Sequence, residues 1–131
     1  MKNNIEELLQ KPYWIIDILP EQVPKDGPGQ FFEIERFFLE RNNLTSIKQK
    51  HINVLLKLSC YCQISIDGEV NPSPEWIVDA VMERSLQIMV GDAMIASEPD
   101  DLHMTVYNPD EKLIRLITAI SSGEGLFVWK P

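Results

Sequence analysis

LQIMVGDAMIASEPDDLHMTVY, residues 86–107, decides how this chain folds. Leu86 to Val90 reads as a strand and Gly91-Asp92 as a tight turn. Ala93 to Ala96 and Leu102 to Tyr107 are the arms of a hairpin joined through Ser97-Glu98-Pro99-Asp100-Asp101. In the second arm Leu102, Met104 and Val106 alternate with His103, Thr105 and Tyr107, the period of a half-buried strand. A hairpin pairs antiparallel, and helical patterns lie on both sides of it. The predicted class is therefore α+β: a two-layer domain, with a mixed, largely antiparallel sheet and helices packed on it. The 131 residues fit one domain, 1–131, long enough to bury roughly two-thirds of its unfolded surface.

Upstream, Asn4 suits the N-cap of a short helix reaching Gln10, with Glu6 and Glu7 in its first turn. After Pro12, Tyr13 to Leu19 reads as a strand with Trp14, Ile16 and Ile18 on one face and Tyr13, Ile15, Asp17 and Leu19 on the other. Apolar residues on both faces place it inside the sheet. Pro20 to Gly29 is a loop. A helix from Gln30 to Arg41 carries Phe31, Phe32, Phe37 and Phe38, with Phe31, Ile34 and Phe38 as its inward stripe and Asn42-Asn43 as its end. Core packing is the usual fate of such a stripe, and the surplus phenylalanines leave room for a homodimer. Ile47, His51, Val54, Leu55 and Leu58 fit a short helix. The alternation from Leu56 to Ile66 then predicts a long half-buried strand, with Cys60 and Cys62 on its apolar face.

Downstream, Asp67-Gly68 makes a turn, and Ser73-Pro74 starts a helix that runs to about Arg84. Asn108-Pro109-Asp110-Glu111 reads as a capping box, with Asn108 at the N-cap of the last helix. Leu113, Ile114, Ile117 and Ile120 are that helix's buried stripe and Gly123 its end. Leu126 to Trp129 is a final strand, apolar on both faces and so expected inside the sheet. With two interior terminal strands, deleting Leu126–Pro131 should abolish cooperative unfolding.

All of the net charge of −8 lies between Asp67 and Asp101, where nine carboxylates face one base, Arg84. Met82, Met89 and Met94 lie in the same stretch and Met104 just beyond it. Such a balance opposes phosphate-backbone binding, which draws its affinity from a basic stripe. Lys48, Lys50 and Lys57 around His51 are too few for one and read as a solvated face. No apolar run exceeds four residues, far from the ~20 that span a bilayer, and the start has no secretory pattern. Cys60 and Cys62 are too closely spaced on a strand for an unstrained disulfide. The expected setting is the reducing cytoplasm.

No motif names a reaction. Cys60-Tyr61-Cys62 lacks the second ligand pair and the spacing of a zinc site, and reads as two buried small hydrophobes. His103 alternates outward as a solvated histidine. No Ca²⁺ loop is written around Asp100-Asp101, and Gly27-Pro28-Gly29 lacks the Lys-Ser/Thr of a phosphate loop. No catalytic, cofactor-binding or metal-ligating residue is assigned. Asp17, the single charge among Tyr13 to Leu19, is a candidate buried carboxylate.

Three phrases, Tyr13 to Pro20, Tyr107 to Leu113 and Gly125 to Pro131, resemble those of small uncharacterised bacterial proteins with comparable ends. The resemblance implies a bacterial, cytosolic, free-standing domain and carries no activity, ligand or residue role. The composition itself leads to a non-enzymatic interaction or regulatory protein, immunity-like, with an acidic docking face for a basic protein. The face would consist of Glu75, Asp79, Glu83, Glu98, Asp100 and Asp101. The alternative is a small-ligand binder or enzyme with a pocket near Asp17.

Overall fold

Two hairpins organise the sheet. The computed structural model describes residues 4–131, and in them lie five helices and seven strands. The helices are α1 (Asn4–Leu8), α2 (Phe31–Leu39), α3 (Arg41–Leu58), α4 (Pro74–Glu83) and α5 (Glu111–Gly123). The strands are β1 (Tyr13–Asp17), β2 (Ser65–Ile66), β3 (Glu69–Val70), β4 (Leu86–Val90), β5 (Ala93–Ser97), β6 (Met104–Tyr107) and β7 (Phe127–Trp129). Gly91, at φ +58°, lets β4 turn directly into β5, pairing Val90 with Ala93 and Leu86 with Ser97. The acidic loop then returns β6 along β5, Ser97 opposite Met104. The sheet runs β3-β2-β4-β5-β6-β1-β7, and its pairings are all antiparallel. The fold is α+β, with helices packed on the sheet.

One face is the core. Ile16, Ile88, Ile95, Met104 and Val106 from the strands meet Ile52, Leu55 and Leu58 of α3, Ile77 and Val81 of α4 and Ile117 of α5. Each such side chain, wholly removed from water, contributes about 1.5–3 kcal/mol. The second face carries Tyr13, Ile15 and Asp17 beside Thr105 and Tyr107 by register. Over it α1 packs on β5, where Leu8 and Met94 are buried. Ser73 caps α4 as its sequence predicts, its hydroxyl accepting from the Trp76 amide at 3.1 Å.

Several local expectations are corrected. The strand expected over Leu56–Ile66 is helix up to Leu58, and only Ser65–Ile66 pairs. The 3.6-residue stripe of Ile52, Leu55 and Leu58 outweighs the alternation that follows it. Beyond it the chain tightens, with Tyr61 and Cys62 amides donating to the Leu58 carbonyl. Asn42 and Asn43 do not end the helical region but open α3, and the Asn43 side chain closes α2 by donating to the Phe37 carbonyl at 2.8 Å. Asn108 does not cap α5. It sits at φ +60°, a conformation asparagine tolerates, and Asp110 caps instead, accepting from the Leu113 amide at 2.7 Å. Finally, β7 is an edge strand rather than an interior one. Its outer face is apolar because Phe127 and Trp129 lie beside β1 on the second face of the sheet.

Candidate functional site: a polar cluster at the Asp17 end of the sheet

The pairing of Ile16 with Met104 makes the next residues, Asp17 and His103, neighbours across the end of β1 and β6. Asp17 is buried. Its Oδ1 accepts from the Ile18 amide at 2.7 Å and lies 3.4 Å from His103 Nε2. Its Oδ2 accepts from the Trp129 indole Nε1 at 3.2 Å. The other ring nitrogen, His103 Nδ1, is 2.8 Å from Asp101 Oδ1, which also accepts from the His103 amide at 3.1 Å. The histidine is clamped between two carboxylates.

That clamp favours its charged form. The hydrogen bond to Asp101 raises the His103 pKa above the ordinary imidazole value; burial opposes it, and Asp17, Asp101 and Glu35 of α2 add to it. Burial works against the Asp101 carboxylate, yet the His103 ring and backbone bonds outweigh it and hold its pKa below the usual range. Both ring nitrogens thus face carboxylate oxygens, Asp101 at 2.8 Å and Asp17 at 3.4 Å, an arrangement that favours the charged ring. His103 is thus not the solvated surface histidine that its outward alternation suggests.

Beneath it, α3 contributes Lys48 and His51, both fully enclosed. Lys48 Nζ donates to the Glu98 carbonyl at 2.6 Å. Burial pushes its pKa down to about 8, against the pull of Asp101, Asp100 and Glu98. His51 is uncharged: burial first, then the Lys48 charge, lowers its pKa to about 3. Among the described residues neither ring nitrogen has a hydrogen-bond partner, although the Leu102 backbone lies close enough to favour the charged ring slightly. The basic group read as a solvated face is therefore partly core. His51 stands in line with Leu55 and Leu58, and that spacing was the available signal; nothing marked Lys48 or Glu35.

The acidic candidates divide. Glu75, Asp79 and Glu83 fall at i, i+4 and i+8 on α4, all exposed. The Glu98 carboxylate accepts from the Ser85 hydroxyl just past the end of α4, which ties the loop to that helix, and Asp100 is exposed beyond it. Among the described residues none of these five makes an ion pair. Asp101 turns away into the His103 clamp.

Other candidates lie apart. Cys60 is exposed rather than the core hydrophobe expected, while Cys62 is half-buried and packs against the core. Among the described residues no three His, Cys, Asp or Glu side chains are arranged to hold a metal ion, and no helix is long and apolar enough to cross a membrane. A groove of about 920 Å³ at the opposite end of the sheet is lined by Cys62, Asp92, Asn108, Asp110 and Lys112 among others. One of about 420 Å³ lies between the Leu19–Gln30 loop and the start of α2. Asp17 lines neither. The phenylalanine stripe is not core either, since α2 has no buried residue. Compared with protein-family models, curated proteins and solved structures, the chain gives no match.

Proposed function

We propose that this is a non-enzymatic binding protein of the reducing cytoplasm whose carboxylate strip, Glu75, Asp79, Glu83, Glu98 and Asp100, docks a basic protein partner. An immunity-type inhibitor of a cationic toxin fits that description. The observation that carries the reading is the row on α4. Like charges at i, i+4 destabilise a helix by about 0.2–0.5 kcal/mol per pair. Glu83 also stands in the last turn, where the helix dipole disfavours an anion and no base is present. Charge kept where folding disfavours it supports a role outside folding. The exposed free thiol of Cys60 supports the compartment.

The enzyme reading has less behind it, since both His103 nitrogens face carboxylates and both Asp17 oxygens face donors. Affinity capture from native cytoplasm with wild type and with an E75Q/D79N/E83Q/E98Q/D100N variant tests the proposal. A basic protein should be held by wild type at low salt, then released at high salt and by the variant, because exposed charges are screened beyond about 8 Å at physiological ionic strength. Retention of the same proteins by the variant, whatever the salt, refutes it.

A further inference from the structure

The groove at the end of the sheet away from Asp17 has a volume of about 920 Å³, within the roughly 300–1,000 Å³ usual for small-molecule sites. Three segments enclose it: the turn that follows α3, the β4–β5 turn and the start of α5. Hydrogen bonds fix each of them. The Tyr61 and Cys62 amides donate to the Leu58 carbonyl. Gly91, at φ +58°, makes the β4–β5 turn, and the Asn108 side chain ties that turn to the entry of α5 by donating to the Asp92 carbonyl at 3.0 Å. The Asn108 amide donates in turn to the Pro12 carbonyl at 2.9 Å. The groove thus has its shape before a ligand arrives, which lowers the ordering cost of binding.

Its lining offers two kinds of surface. Val90 and Ala93 are buried and Leu113 and Leu116 half-buried, so an apolar body placed there leaves water. The charged lining residues are Asp92, Asp110 and Lys112, all exposed. Among the described residues none of the three makes an ion pair. Asp110 spends one carboxylate oxygen on the Leu113 amide and retains the other. Two carboxylates against one ammonium make the lining net negative. The chain's charge of −8 adds a field that gathers cations and repels anions. We infer that the groove is a binding site for a small organic ammonium ion with an apolar body, its cation drawn to Asp92 and Asp110 and its body laid against Leu113 and Leu116. No residue of the acidic strip lines the groove, so the site stands apart from the docking of a basic protein.

Probes that share one body and differ in the head group separate the contributions: phenylbutylamine, phenylbutanol and phenylbutyrate. Each is titrated into the intact, isotope-labelled protein to about 20 mM while backbone amide shifts are followed by NMR. The amine should move the amides of Cys62, Gly91, Asp92 and Leu113, with a dissociation constant on the order of 1 mM. Two exposed ion pairs together are worth about tenfold in affinity, so the alcohol should bind about tenfold more weakly and the butyrate more weakly still. An Asp92→Asn/Asp110→Asn variant should bind amine and alcohol equally. Asparagine caps a helix about as well as aspartate, so α5 keeps its start, and an alcohol affinity equal to that of wild type shows the groove intact. Amine shifts confined to α4, a butyrate that binds as tightly as the amine, or a variant that keeps the amine preference overturns the inference. So does a set of groove amides that none of the probes moves.

Discussion

His51 should govern the acid stability of this protein. Its ring is enclosed with no hydrogen-bond partner among the described residues, and Lys48 and His103 on one side oppose its protonation while Asp101 and the Leu102 backbone favour it only in part. Its pKa falls from 6.5 in the unfolded chain to about 3 in the fold. The unfolded chain therefore binds a proton that the fold refuses between those values. Stability from this site is intact above pH 6.5 and declines as pH falls toward 3. Each pH unit is worth about 1.4 kcal/mol, so at pH 4 the loss is about 3 kcal/mol, a large share of the 5–15 kcal/mol typical of a domain. His51→Leu removes the titration and also two unpartnered buried nitrogens, each of which costs about 1–3 kcal/mol. Urea unfolding followed by tryptophan fluorescence at pH 7 and pH 4 should find the variant at least as stable at pH 7, with its lead over wild type about 3 kcal/mol wider at pH 4. The titrations of His103 and Asp101 occur in both proteins and cancel from the difference. A lead that is the same at both pH values refutes the argument.

Lys48 gives a second limb of the same sign at high pH. Its pKa drops from 10.5 to about 8 on folding, so the unfolded chain binds the extra proton between these values and wild-type stability rises with pH across that range, by about 3 kcal/mol. Lys48→Met should lack the rise and be the more stable protein at pH 7.5, as guanidinium midpoints at pH 7.5 and 10 would record; parallel profiles would show that the ammonium carries no such penalty. Deletion of Leu126–Pro131 removes β7, the buried Leu126 and the indole donor to Asp17. A buried leucine alone is worth about 2–5 kcal/mol, so calorimetry should find no cooperative transition, and a sharp one would show β7 to be dispensable.

The parts of the fold legible in the sequence are those whose signals are local. Leu86–Tyr107 declares its strands because turns interrupt an unambiguous alternation, and Ser73-Pro74 fixes the start of α4 within one turn. The Leu56–Ile66 segment misleads because Leu56 and Leu58 satisfy both periods, and nothing nearby weighs the stability of the eighteen-residue helix that ends there. Asn108 reads as the cap from its spacing to Glu111, whereas Asp110 takes that role; seeing this needs the backbone of Asn108, whose amide donates to the Pro12 carbonyl at the far end of the chain. The candidate site has the same character. Asp17 stood out as a charge among apolar residues, but its meeting with His103 and Trp129 depends on the pairing of β1 with β6 and β7. The acidic row on α4 was readable from its spacing; the diversion of Asp101 to His103 was not.

The placement of β1 between β6 and β7 bears on how the protein is made. Synthesis delivers β1 first, yet both of its neighbours emerge only after residue 100, so Tyr13–Asp17 must wait with both edges open while about ninety residues follow, several seconds at ribosomal rates. The β4–β5–β6 meander has local contacts and can assemble beforehand as a template. An apolar strand in waiting is a substrate for chaperones and for mispairing. The yield of soluble protein should therefore fall when elongation is slowed anywhere between β1 and β6, the span over which β1 waits for its neighbours.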